Sequence, residues 1–188
     1  MGYDWSQEAG AAGGGSALNV QAITATPDNA SALVGAAKQL GTSPEDLATV
    51  ISYETGGKFD PDIVGGKNNN HMGLIQFGKE EQAKYGIKPG MSIKDQMPAV
   101  VQYLKDRGLR PGDGLDRIYR TINGGNREAN VKLSDGNGTI EQHIAKIDRE
   151  HRGNARAFLG LASPRDTQVM TQAGTAFNLA FNDQAVQA

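Results

Sequence analysis

Apolar residues in the middle of the chain recur at intervals of three and four, and polar, Gly-rich stretches separate the recurrences. Leu47, Val50 and Ile51 stand at i, i+3 and i+4, and Leu115, Ile118, Tyr119 and Ile122 repeat the pattern, which is the core-facing stripe of an amphipathic helix. No stretch alternates with the period of two that a half-buried strand needs, and no internal repeat is present. The pattern therefore predicts a mostly α fold of short helices joined by loops. Asp28 or Asn29 can cap a helix running to Leu40, with Gly41 as its stop. Ser43 as N-cap, Pro44 behind it and Glu45 and Asp46 in the first turn start a second helix, which ends at Gly56-Gly57. Ser92 and Asp95 form a capping pair for a helix to about Arg107. Helices over Asp113 to Ile122 and over Thr139 to His151 follow, and residues 58–72 and 126–138 read as polar loops.

Composition adds the ends. Of 188 residues 25 are Gly, about twice the usual share, and Gly10, Gly13, Gly14 and Gly15 fall in an opening segment without Lys or Arg. Residues 1–27 read as a flexible arm in which the lone Trp5 is either an anchor for a partner surface or a contact with its own domain. From Ser163 onward the chain is polar and Gln-rich. The expected organisation is an arm over 1–27, one domain over 28–162 and a second extension over 163–188. The length suits a single domain.

Several chemistries drop out. There is no Cys, hence no disulfide and no thiolate ligand. A net charge of −2 supplies no field for gripping nucleic acid. No apolar run reaches the roughly 20 residues that span a bilayer, and no basic stretch followed by an apolar one marks a signal peptide. His71, His143 and His151 lack metal-ligand spacing. The run Asp135-x-Asn137-x-Thr139-x-Glu141 opens like a calcium loop, but Lys146 stands where its closing Glu belongs. No metal and no cofactor are expected.

Glu54 is the informative residue. It occupies position i+7 of the stripe begun by Leu47, where the pattern calls for a hydrophobe. It also lies in the last turn of its helix, where the dipole disfavours a negative charge. Partial burial acts in the same direction, and a carboxyl kept protonated near neutrality is what general acid catalysis needs. The plainer alternative is a helix-terminal Glu leaning into solvent. Gly73-Leu74-Ile75-Gln76-Phe77 is an apolar run broken by one amide, which needs partners from backbone or from a polar ligand. Tyr119 is either plain core or a hydroxyl turned toward a site. Asn123-Gly124-Gly125-Asn126 is a helix stop whose amides could touch a polar substrate.

The order of these pieces resembles a known family. Ser52-Tyr53-Glu54-Thr55-Gly56-Gly57, then Phe59-Asp60-Pro61, then Gly73 to Phe77, then Tyr119 to Asn126 is similar to the soluble lytic transglycosylase branch of the lysozyme-like superfamily. It resembles in particular the domains of this type in bacteriophage virion proteins, which also carry segments like Asp135 to Thr139, His143-Ile144-Ala145 and His151-Arg152. The likeness covers roughly residues 43–160. Two departures stand out: the loop between Glu54 and Gly73 is longer, and Ile118-Tyr119-Arg120-Thr121-Ile122-Asn123 replaces an Ala-Tyr-Asn-Ala-Gly-like element.

The resemblance implies a lysozyme-like single lobe with flexible N- and C-terminal extensions and a glycan cleft. It implies Glu54 as catalytic acid/base, with Thr55, Ile75, Gln76, Phe77, Tyr119 and Asn123 at the substrate. The implied reaction cleaves the β-1,4 bond between N-acetylmuramic acid and N-acetylglucosamine with one Glu and leaves 1,6-anhydro ends. Asp60 and Asp62 are the nearby acids in the chain; were one to reach across, hydrolysis of the lysozyme or endolysin type would become possible. The implied setting is a phage virion, as a tail or internal ejection protein opening the host cell wall, with other virion proteins held through the two extensions. The alternative of another class is a structural virion protein whose lysozyme-like domain is weakly active or inactive.

Overall fold

The computed structural model describes residues 25–132, 134 and 138–161. The arm with Trp5 and Gly10 to Gly15, the loop residues Asp135 to Asn137 and the chain from Ser163 lie outside the described residues. Six helices, 58% of the described residues being helical, define a mostly α architecture. In order they are α1 (Pro27–Leu40), α2 (Pro44–Glu54), α3 (Lys79–Tyr85), α4 (Ile93–Asp106), α5 (Leu115–Asn123) and α6 (Ile140–Phe158). A two-residue hairpin, β1 (Val64–Gly65) and β2 (His71–Met72), lies between α2 and α3.

Caps explain most boundaries. Thr26 accepts from the Asn29 N–H and Pro27 takes the first helical position, so α1 starts before the expected Asp28 or Asn29. Its stop is the left-handed Gly41. Ser43 caps α2, and Ser92 with Asp95 closes a full capping box on α4. Thr139 and Gln142 form another box on α6. That helix runs seven residues past the expected His151, because Ala155 and Phe158 prolong the stripe of Ile140, His143 and Ile147 into the core.

Helix α2 is the centre of the fold. Every residue from Leu47 to Glu54 is buried, because α1, α5 and α6 all pack around it. A helix covered on all sides makes its last residue part of the interior. Arg152 of α6 ties the outer end of α2 down through Glu45 at 3.1 Å and Asp46 at 3.0 Å. Phe59, just beyond α2, stacks on Phe158 with ring centroids 4.1 Å apart.

The hairpin pairs antiparallel in the register Val64↔Met72 and Gly65↔His71. Met72 and Phe77 then bridge each other, N–H to carbonyl in both directions at 3.1 and 2.9 Å, and force residues 73–76 into a tight loop. Among the described residues no helix is long and apolar enough to cross a membrane.

Candidate active site

Glu54 has no exposed surface, so its side chain does not lean into solvent. Burial pushes its carboxyl up to about 8. It lines a pocket of about 80 Å³ together with His71, Ile75, Gln76, Gly78, Glu81, Tyr103 and Ile122, a space that holds a few waters or one polar substituent. Residues from the end of α2, the hairpin, the 73–76 loop, α3, α4 and α5 thus meet at one acid.

Gln76 is the most constrained of them. It is 6% exposed, and its φ of +53° is a left-handed conformation that non-Gly residues rarely hold. Such strain persists where the surroundings enforce it, commonly at functional sites. Its Nε2 donates to Gly73 O at 3.0 Å and Ile63 O at 3.3 Å. Its Oε1 is buried with no hydrogen-bond partner. The amide is therefore held by its donor end, and its acceptor end is left for a donor inside the pocket.

The loop itself is clamped from α4. Gln96, wholly buried, accepts the Leu74 N–H at 3.1 Å and donates to Pro61 O at 2.7 Å. The opposite wall is aromatic. Tyr103 packs edge-on to Phe77, centroids 5.5 Å apart, and carries the Arg107 guanidinium 3.8 Å over its ring. Burial raises the Tyr103 phenol to about 12, so it stays a neutral O–H donor. Arg107 in turn holds Glu81 Oε1 at 2.8 Å.

The structure brings three of the expected residues, Glu54, Ile75 and Gln76, to the pocket. Thr55 is turned into the helix end, donating to Ile51 O at 2.8 Å and accepting the Phe59 N–H at 3.0 Å. Phe77 is buried in the aromatic wall. Tyr119 is fully buried, edge-on to Tyr53 at 5.6 Å, and accepts from Asn123 Nδ2 at 3.2 Å. None of these four lines the pocket, and Tyr119 belongs to an aromatic layer with Tyr53. Tyr53 continues that layer through its hydroxyl to His143 Nδ1 at 3.2 Å.

Asp60 and Asp62 do not reach across. Asp60 accepts the Asp62 N–H at 2.9 Å and Asp62 accepts the Gly90 N–H at 2.7 Å, so both carboxylates serve the loop backbone. The second acid of the pocket is Glu81, together with His71 and Tyr103, and none of the three carries a sequence signal. They lie 17 to 49 residues downstream of Glu54, on a two-residue strand, a seven-residue helix and the far helix α4. Among the described residues no group of three or more His, Asp or Glu could hold a metal ion. Comparison with models of known families, with curated proteins and with solved structures finds no match for the chain.

Proposed function

We propose that the protein is a lysozyme-like peptidoglycan-cleaving enzyme with Glu54 as its catalytic acid. The observation that carries this reading is a wholly buried carboxyl, raised to about 8 by its surroundings, facing a polar pocket. At neutral pH such a group holds a proton and can deliver it. The ordered likeness of residues 43–160 to soluble lytic transglycosylases supports the substrate: the β-1,4 bond between N-acetylmuramic acid and N-acetylglucosamine.

In this mechanism Glu54 donates its proton to the glycosidic oxygen as the C1–O4 bond breaks. The Glu54 carboxylate then takes the proton of the muramic acid C6 hydroxyl while O6 bonds to C1, closing a 1,6-anhydro ring. No water is consumed, and an intramolecular nucleophile gains the advantage of proximity. Gln76 Oε1 receives a hydroxyl or acetamido N–H of the sugar, and the Ile75 backbone borders it. Tyr119 and Asn123 keep the α5 wall in register from behind. No cofactor is used. The likeness to virion domains supports a place in a phage particle, with the arm and the C-terminal extension engaging other virion proteins and the enzyme acting on the host wall.

The test is digestion of purified peptidoglycan sacculi followed by mass analysis of the released fragments. Anhydro-ended fragments are expected. A Glu54→Gln variant should lose about 10²–10⁴-fold of the rate. An intact, folded protein that releases nothing would leave a structural virion domain in its place.

A further inference from the structure

The pocket that holds the acid has a second carboxylate in its wall. Glu81 projects from the first turn of α3, and its Oε1 is fixed by Arg107 at 2.8 Å. Arg107 is itself held by the Tyr103 ring and by the Tyr85 hydroxyl at 3.2 Å. The other oxygen, Oε2, overhangs the bare Cα of Gly78: a Cβ there would come within 2.7 Å of it. The same missing Cβ would stand 3.9 Å from His71 Nε2. Gly78 has a φ of −67° that any residue can adopt. What its lack of a side chain allows is therefore the close approach of Glu81 Oε2, with His71 Nε2 nearby, and all three residues line the pocket that holds Glu54. The imidazole is seated from behind, because Gly66 also leaves no room for a Cβ against His71 Nδ1. Independently, the buried and unpartnered Gln76 Oε1 marks this pocket as one that receives a polar donor.

We propose that Glu81, with His71 beside it over Gly78, is a catalytic base that activates water, so that the same site also hydrolyses the glycan and Glu81 sets the division between reducing and anhydro ends. This rests on Glu54 cleaving the glycosidic bond. In the added branch water gives a proton to the Glu81 carboxylate as its oxygen bonds to C1. The C1–O4 bond breaks, and O4 leaves with the proton of Glu54. Solvent exchange then returns one proton from Glu81 to Glu54, and one water is consumed per bond. Arg107 positions Glu81, and the C6 hydroxyl competes with the water for the same C1.

The experiment measures the ratio of reducing to anhydro ends released from sacculi by the full chain and by Glu81→Gln. Wild type is expected to release both, and the ratio should fall by about 10²-fold or more in the variant, the low end of what a general base contributes. Should Glu81→Gln not fold, Gly78→Ala carries the same test, because its Cβ displaces Glu81 Oε2 from its place in the pocket wall. A wild type that makes anhydro ends alone would overturn the proposal, as would an unchanged ratio. A folded variant that releases neither product would also overturn it, since ring closure does not use Glu81. A folded wild type that releases nothing overturns the cleavage reading itself.

Discussion

Gly73 and Gln96 fit together with no room for a side chain between them: a Cβ on Gly73 would lie 2.6 Å from Gln96 Oε1. Gly73 also holds a φ of +87°, so both its conformation and its bareness are used. The contact is what lets Gln96 reach the Leu74 N–H and hold the loop that presents Gln76.

Gly73→Ala is expected to destabilise the protein by about 2–3 kcal/mol, from left-handed strain and overpacking together. Gln96→Ala should cost about 1–3 kcal/mol by leaving buried Leu74 N–H and Pro61 O unpaired. The double variant should cost less than the sum, since both substitutions break one contact. Denaturant midpoints at neutral pH check all three; additive losses would mean that the residues act separately.

Phe158 lies beyond the expected end of the last helix, yet it is 2% exposed and stacked on Phe59. Phe158→Ala should therefore destabilise by about 3–5 kcal/mol, the range for emptying an aromatic core site. A loss below 1 kcal/mol in urea unfolding would show that α6 ends functionally near His151.

Much of the fold was legible because caps and stripes are local. Ser43, Ser92 and Thr139 each announce a helix start within three residues of sequence, and Glu54 stands out as a charge on a core stripe. What failed to show was non-local or short. The lone Gly153 within α6 concealed a stripe that resumes at Ala155. Helix α3 buries none of its side chains and so has no apolar period to read. Glu81, His71 and Tyr103 reach the pocket only through tertiary packing, whereas Asp60 and Asp62, the first acids to follow Glu54 in the chain, do not line it.

His151 provides a destabilising response to acid. Its ring accepts or donates to Ser52 Oγ at 3.0 Å and lies edge-on to Tyr53, and burial pulls it down from 6.5 to about 4. The folded protein binds fewer protons here than the unfolded chain, so stability falls as pH drops from 6.5 to 4 and no further below that. The effect is up to about 3 kcal/mol. His151→Gln removes this rise with pH and leaves the opposing slope of Glu54, so its stability should fall as pH climbs from 4.5 to 6.5, measured by urea unfolding from pH 4 to 7; a curve parallel to that of the wild type would place the ring in water. Asp106, drawn down to about 2 by Lys84, Gln102 and Tyr85, acts only at lower pH, between 3.8 and 2.

Glu54 works in the opposite sense. Its carboxyl rises from 4.5 to about 8 through burial, so the folded state holds a proton that the unfolded chain has released. Stability contributed this way is complete below pH 4.5 and lost as pH rises to 8, up to about 5 kcal/mol. Between pH 4.5 and 6.5 the slopes of Glu54 and His151 cancel, and the wild-type curve should be nearly level there and fall from 6.5 to 8. Glu54→Gln removes the falling limb. Its stability should climb with pH up to 6.5 and then hold, overtaking the wild type by a margin that grows toward pH 8. Thermal or urea unfolding of the two proteins across pH 4–9 measures this without any substrate. A parallel pair of curves would mean that Glu54 meets water and is not the protonated acid on which cleavage depends.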